Sequence, residues 1–409
     1  MAGKGWPLVA LGELTENFDG RRVPVKEIDR KPGPYPYYGA SGIVDKVDGY
    51  VFDGEYLLIG EDGENLRTRQ TPIAFMARGK FWVNNHAHIV RGNHRADTRF
   101  LSYVLSQTDI SGYLTGSTMP KLTQGNLNRL PVIAPPLAEQ KAIAAVLGSL
   151  DDKIELNRRM NTTLEAMARA LFQSWFVDFD PVRAKLDGRI PVGLDDATAS
   201  LFPDLLEEST LGHIPKGWTA GQLGDIGTNS RRSVQPSDIA LNTPYIALEH
   251  MPRRCIALGD WDDSADVASG KSAFKKGEIL FGKLRPYFHK VGVAPFDGVC
   301  STDILVLAPK SPEWFGFLLG HASSDELIQF TDLASTGTKM PRTNWSDISS
   351  FKVALPPKPI AAAFTRNMQP LIDRIHANLL QSRTLATLRD TLLPKLLSGE
   401  LSVVTDISK

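Results

Sequence analysis

The sequence predicts an α+β protein: two strand-rich globular units separated by two long helices, with this plan repeated once along the chain. Three observations carry that prediction. First, apolar residues through 135–175 alternate by four and three: Ile143, Leu147, Leu150, Ile154, then Leu164, Ala168, Leu171 and Trp175. That spacing draws a narrow hydrophobic seam along a helix about 50 Å long, at about 1.5 Å per residue. Second, the seam returns 221 positions later as Phe364, Met368, Leu371, Ile375, Asn378, Ser382, Leu385, Arg389, Leu392 and Leu396. Aligned without a gap, residues 119–175 and 340–396 share 13 identities in 57 positions, the signature of an internal duplication. Third, each helix is preceded by short apolar and aromatic pieces cut by Gly, Pro, Asp and Asn, a pattern of strands and turns.

In chain order, residues 1–136 form the first unit. Its pieces YPYYGASGIV, GYVFDGEYLLIG, PIAFMA and KFWVNNHAHIV read as strands, and RADTRFLSYVLSQTDISGYL as a helix with Phe100, Leu101, Val104 and Leu105 on one face. GSTMPKLTQGNLNRLPVIAPP then reads as a loop and a strand. The Pro135-Pro136 stop fits the start of the long helix 137–176. Residues 177–215, with scattered Pro and Gly, form a connector with one short helix, ordered by docking rather than by its own core. Residues 216–357 repeat the first unit: GWPLVALGEL returns as GWTAGQLGDI, GEYLLIG as GEILFG, and MPKL as MPRT. Pro356-Pro357 precedes the second helix and tail, residues 358–409.

With 46 basic and 46 acidic residues, the net charge is zero and gives no global argument for nucleic acid or membrane. The opening MAGKGWPLVALGEL is too short and too broken for a signal peptide, and no apolar run approaches the roughly 20 residues of a membrane span. Cys255 and Cys300 could pair but are expected reduced. A soluble, cytoplasmic protein is expected.

Enzyme signatures are missing. There is no GxxxxGK[ST] loop, no GxGxxG fingerprint, no zinc-type Cys/His spacing and no GxSxG elbow. Glu139-Gln140-Lys141 matches half of a metal-nuclease site by letter, but reads as a polar first helical turn with its Glu against the helix dipole. His86 and His88, two apart on a strand, read as strand residues rather than metal ligands. Tyr35, Tyr37 and Tyr38 read as core and turn aromatics rather than base-stacking residues.

Two sets of residues carry more. Asn157 and Asn161 interrupt the first seam, and Asn378 and Ser382 the second, as polar residues that fix register and partner orientation do. Antiparallel helices would face Asn157 with Ser382 and Asn161 with Asn378. Parallel helices would set Asn157 against Asn378. The second set is basic and lies in duplicated loops: Arg21-Arg22 and Arg231-Arg232, Lys283, Arg285 and Tyr287 in GKLRPYFHK, Lys121 in GSTMPKL, and Lys339 and Arg342 in STGTKMPRTNW. Such residues, beside Ser, Thr, Asn and Gln, can hold phosphates and address base edges. They are candidate DNA-binding residues.

The chain resembles the DNA-specificity subunits of type I restriction–modification systems. The resemblance rests on PPLAEQKAIAAVLGSLDDKIELNRRMNTTLEAMARALFQSWFVDFDPVRAK, LGHIPKGW, KLRPY and LRDTLLPKLLSGEL, and it spans essentially the whole chain. It departs at Pro357-Lys358-Pro359-Ile360, where the first copy has the fuller LAEQ. The resemblance implies two target-recognition domains, each reading half of a bipartite, asymmetric double-stranded DNA site. It implies that the helices pair as an antiparallel coiled coil that sets the half-site spacing. Two modification subunits would dock and bring S-adenosylmethionine, and a restriction subunit would bring ATP and Mg. No cofactor, metal or catalytic residue is expected in this chain. The alternatives are a specificity subunit for a bifunctional restriction–methylation enzyme, and a coiled-coil scaffold for other proteins.

Overall fold

The computed structural model of the chain describes residues 5–264, 269–335 and 340–403. Its contacts divide into two units, one taking residues 1–153 and 385–409 and the other 154–384. Both boundaries fall within the long helices, so each helix contributes to both units.

The first unit runs β1 (Leu8–Ala10), α1 (Leu11–Leu14), β2 (Thr15–Asn17), β3 (Pro32–Gly39), β4 (Gly42–Val47), β5 (Phe52–Gly60), α2 (Asn65–Thr68), β6 (Ala74–Val83), β7 (Ala87–Gly92), α3 (Thr98–Gln107), α4 (Gln124–Arg129) and β8 (Pro131–Ile133). A six-stranded sheet has the order β2-β7-β5-β6-β3-β4, and β1 pairs with β8. β5 shows why the sheet is buried on both faces. Leu57 and Ile59 join one core cluster with Phe100 and Leu101 of α3, while Phe52, Tyr56 and Leu58 join another with Phe81 and Ile89. Successive side chains of a strand point to opposite faces, and here both faces are apolar.

The long helix α5 (Leu137–Phe172) follows and ends in a π-helical turn, Gln173–Val177. Its N-terminal part docks on the first unit through Ile143 and Leu147 in the α3 cluster. Arg99 grips it bidentately, with Nη1 donating to Asp152 Oδ2 at 2.9 Å and Nη2 to Oδ1 at 2.7 Å. The same guanidinium lies over Gly148, where a Cβ would stand 2.4 Å from Arg99 Cζ, so a larger residue there would displace the arginine from this place.

The second unit continues with α6 (Asp180–Leu186), α7 (Asp196–Ser200), β9 (Leu206–Ser209), β10 (Gly212–Pro215), β11 (Thr219–Gln222), α8 (Leu223–Ile226), β12 (Gly227–Asn229), β13 (Ser233–Val234), β14 (Pro244–Ile246) and β15 (Asp262–Asp263). Next come β16 (Lys271–Phe274), β17 (Ile279–Gly282), β18 (Val291–Val293), β19 (Gly298–Cys300), β20 (Ile304–Pro309), α9 (Phe315–Ala322), α10 (Asp325–Ala334), α11 (Trp345–Ser349) and β21 (Lys352–Leu355). Helix α12 (Lys358–Leu397) follows. Sheets β12-β20-β17-β18 and β13-β16-β19-β14-β15 form the β-framework, and β11 pairs with β21 as β1 does with β8. β17 repeats the logic of β5: Ile279 and Phe281 enter one core cluster and Leu280 another.

Three details depart from the sequence reading. The segment after MPKL holds helix α4, capped by Thr123, whose side chain accepts from the Asn126 N–H at 3.3 Å. The connector holds two helices and a β9–β10 hairpin rather than one helix, and it docks by burying Val182, Phe202 and Ile214 in the second unit's core. The buried line of α5 runs Asn157, Asn161, Glu165, Ala168, Phe172, Trp175, so Glu165 and Phe172 are covered while Leu164 and Leu171 are half-buried. Glu165 is satisfied by the Ala257 N–H at 3.2 Å and the Cys255 Sγ–H at 3.1 Å.

The helices run antiparallel. In the second unit Asn378 Nδ2 donates to Asn161 Oδ1 at 2.8 Å, and Asn157 Nδ2 donates to Ser382 Oγ at 3.2 Å and Gln381 Oε1 at 2.9 Å. In the first unit Arg389 Nη1 donates to Asp151 Oδ1 at 2.8 Å. Among the described residues no helix is long and apolar enough to cross a membrane.

Candidate nucleic-acid interface

One main-chain frame is built twice, once in each unit. After β2, the Phe18 N–H donates to Ile89 O at 2.8 Å; after β12, the Ser230 N–H donates to Val306 O at 2.7 Å. Past the end of β5, the Glu61 N–H donates to His86 O and Glu61 O accepts from the Leu122 N–H, both at 2.8 Å. Past the end of β17, the Lys283 N–H donates to Asp303 O at 2.9 Å and Lys283 O accepts from the Thr343 N–H at 3.0 Å. Gly60 pairs with Ala87 as Gly282 pairs with Ile304. The frame therefore sets Asp19 in register with Arg231, Glu61 with Lys283, His88 with Leu305 and Lys121 with Arg342.

The two frames carry opposite charges at two matched positions, Asp19 against Arg231 and Glu61 against Lys283. In the first unit the frame closes on itself. Arg22 Nη1 donates to Glu61 Oε2 at 2.6 Å and to Ala87 O at 2.9 Å, and Lys121 Nζ lies 3.1 Å from Glu61 Oε1. His88, almost fully buried, donates from Nε2 to Leu122 O at 2.7 Å and meets Asp19 Oδ2 through Nδ1 at 2.5 Å. A carbonyl on one nitrogen and a carboxylate on the other require both to donate, the arrangement of an imidazolium. Burial opposes that charge, but the Asp19 and Leu122 hydrogen bonds and the nearby carboxylates outweigh it and raise the His88 pKa. Burial likewise opposes ionised Asp19 and Glu61. His88 overrides it at Asp19, and Arg22 and Lys121 at Glu61, so both carboxyls lie below their ordinary range.

In the second unit the frame stays open. Arg231, Lys283 and Arg342 line one cavity of about 490 Å³ together with Asn229 and Thr343. Arg342 Nε reaches Asp303 Oδ1 at 3.4 Å, both half-exposed. Among the described residues, the side chains of Arg231 and Lys283 have no hydrogen-bond or ion-pair partner.

The remaining candidates lie as follows. Arg21 is exposed, donates to Val51 O at 3.2 Å and stands 4.9 Å from the Phe52 ring centroid. Arg232 turns inward to Glu278 and Ala273 O. Arg285 adopts a left-handed backbone, φ 52°, and its N–H donates to Pro341 O at 2.7 Å. Tyr287 is half-exposed, its ring centroid 4.7 Å from that of Phe288, which Arg253 covers at 4.0 Å. Lys339 lies outside the described residues. Among the nine described candidates, Arg22 and Lys121 share Glu61, Arg231, Lys283 and Arg342 share a cavity, and Arg285 and Tyr287 flank Phe288. Asp19 and Glu61 escaped the sequence reading, which has His88 only as a strand residue, because their separations match no motif. The doubling of the frame around GEYLLIG and GEILFG was the one available signal.

Residues 3–166 match the family model described as the type I restriction modification DNA specificity domain. The chain is 26% identical to the specificity subunit of the type I restriction enzyme MjaIX of Methanocaldococcus jannaschii, covering 98% of this chain and 94% of that protein. It is also 26% identical to the specificity subunit of the type I restriction enzyme HindI of Haemophilus influenzae, covering 85% and 84%. Among solved structures, the S subunit of a type I restriction-modification system from M. genitalium shares the fold, with a TM-score of 0.59 and 15% identity over 96% of both chains.

Proposed function

Because the chain belongs to the DNA-specificity subunits of type I restriction–modification systems, we propose that its two units each read one half of a bipartite, asymmetric site in double-stranded DNA. Residues 1–136 and 216–357 are the two target-recognition domains in this reading, and the paired helices set the spacing between half-sites. The observation that carries it is the doubled frame: one backbone arrangement, built twice in one chain, with different charged residues at its tip. A single repeated reader would bind a repeated sequence. Two readers with different side chains on one frame suit an asymmetric site.

The rest of the chemistry belongs to other chains. Two modification subunits dock on the helices and the connector and supply S-adenosylmethionine-dependent adenine methylation. A restriction subunit supplies ATP- and Mg-dependent cleavage, and the complex works in the cytoplasm. Within this chain, Arg21, Arg231, Lys283, Arg285, Tyr287 and Arg342 face DNA, and Asn157, Asn161, Asn378 and Ser382 hold the helix register. Base edges in the major groove are reached by bidentate Arg, while Lys and hydroxyl contacts to phosphate fix orientation.

The test is a map of methylated adenines in the host genome with and without the gene. The expected result is loss of one bipartite motif with a fixed spacer when the gene is removed. An unchanged map, or loss of an uninterrupted palindrome, would refute the reading.

A further inference from the structure

The open frame of the second unit differs from its closed counterpart by a change of sign at two matched positions and the loss of the buried histidine. Where the first unit has Asp19, Glu61 and His88, the second has Arg231, Lys283 and Leu305. Lys121, matched there to Glu61, has become Arg342. Three cations enter the cavity from three separate elements: the turn after β12, the end of β17 and the loop before α11. Asp303 is the one carboxylate that an ion pair ties to any of them among the described residues. The neutral edge of a base cannot balance such a site; a group carrying its own negative charge can, through charge-assisted hydrogen bonds.

From this geometry we infer that the cavity is a seat for a backbone phosphodiester of the bound DNA, present in the second unit only. The inference rests on the DNA-reading function proposed above and adds which contacts are sequence-blind, and where. Arg231 and Lys283 approach the non-bridging oxygens, and Arg342 exchanges its long contact with Asp303 for the phosphate. In the first unit the equivalent place is filled by the protein's own carboxylates. The second unit therefore supplies an anchoring, salt-sensitive contact that the first lacks at this position.

The experiment uses the full chain assembled with its modification subunits. DNA affinity is measured between about 50 and 200 mM salt, where each neutralised phosphate contributes about 0.9 to the slope of log affinity against log salt. The probes are a duplex carrying the mapped site and a scrambled duplex. Lys283→Gln and the double variant Arg231→Gln/Lys283→Gln are expected to lower the slope by about 0.9, equally on both duplexes. Lys283→Arg restores it, which a folding defect would not permit. Lys275→Gln, at an exposed lysine paired with Asp297 outside the cavity, leaves it unchanged. In parallel, acetylation of Lys283 by acetic anhydride, read by mass spectrometry, falls when either duplex is bound. Intact sequence-selective binding with an unchanged slope and unprotected Lys283 would overturn the phosphate seat alone. So would relaxed preference at one half-site with an unchanged slope, which would mean a base contact. Loss of a modification subunit from the variant complex, with DNA contacts unaltered, would likewise overturn it and point to an acidic protein surface. If the unaltered complex selects no sequence, the DNA-reading function itself falls, and the seat with it.

Discussion

Replacing Asn161 by leucine tests the polar layer between the helices. Asn378 Nδ2 donates to Asn161 Oδ1 at 2.8 Å, and both residues are almost fully buried. Asn161→Leu removes the acceptor and strands the Asn378 amide in an apolar seam, a loss of about 1–3 kcal/mol. Asn378→Leu strands the Asn161 oxygen at a similar cost. The double variant loses one neutral hydrogen bond, about 0.5–1.5 kcal/mol, and buries two leucines in place of two amides, so its net stability returns close to the parent's. A double-mutant cycle therefore gives a coupling equal to the sum of the two single losses, about 2–6 kcal/mol. Urea unfolding followed by tryptophan fluorescence reports it, because Trp175, Trp218, Trp261, Trp314 and Trp345, five of the chain's seven tryptophans, fall in the second unit. A double variant as unstable as the two singles added together would refute the pairing. The leucine pair recovers stability without restoring direction or register, so a DNA site with a less strictly fixed spacer is the expected companion result.

Four further outcomes follow from the same structure. Deleting 158–164 together with 375–381 shortens each helix by about 10.5 Å, so the spacer in the methylated site contracts by about three base-pair steps; an unchanged spacer in the methylation map would remove the ruler role. His88→Gln destabilises the first unit more at pH 6 than at pH 9. The His88 pKa is raised above 6.5, so its contribution is complete below 6.5 and lost as pH rises through the folded value; thermal melts with an equal gap at both pH values would contradict this. Burial pushes the thiols of Cys255 and Cys300 up to about 12, so the native chain reacts only slowly with a thiol reagent at pH 8 and yields two thiols in denaturant; rapid native labelling would count against it. In Gly320→Ala the new Cβ would stand 2.0 Å from Phe172 Cδ2, and the overpacking lowers stability by about 1–3 kcal/mol, checked by the same urea titration.

The helices were legible because their information is local. A seam that repeats every three or four residues is visible in one line of sequence, and two polar interruptions suffice to write down the facing pairs of each helix direction. Glu165 was not legible. Its letter argues for the surface, and the groups that satisfy it, the Ala257 N–H and Cys255, lie about ninety residues away. Helix α4 was hidden for another reason: QGNLNR has one apolar anchor, Leu127, and its start depends on the Thr123 cap rather than on periodicity. The charged frame was least legible of all. Asp19, Glu61 and His88 come from three strands or strand ends, and only sheet register brings them together.

The exchange of charge at two positions of the frame also explains how two copies of one unit can come to meet DNA differently. Most core positions around the frame stay apolar in both copies, as with Leu58 and Leu280 or Ile89 and Val306, because a cavity left by a large-to-small change there costs about 2–5 kcal/mol. The tip is constrained differently. In the first unit, exchanging Glu61 alone for lysine would leave Arg22, Lys121 and His88 facing a like charge, and breaking a buried pair from one side costs about 3–5 kcal/mol. Single steps between the two arrangements are therefore unfavourable, while each complete set is stable. One closes internally with its own carboxylates, and the other stays open and takes its counter-charge from outside. A frame with two self-consistent charge sets can be copied without copying its contacts.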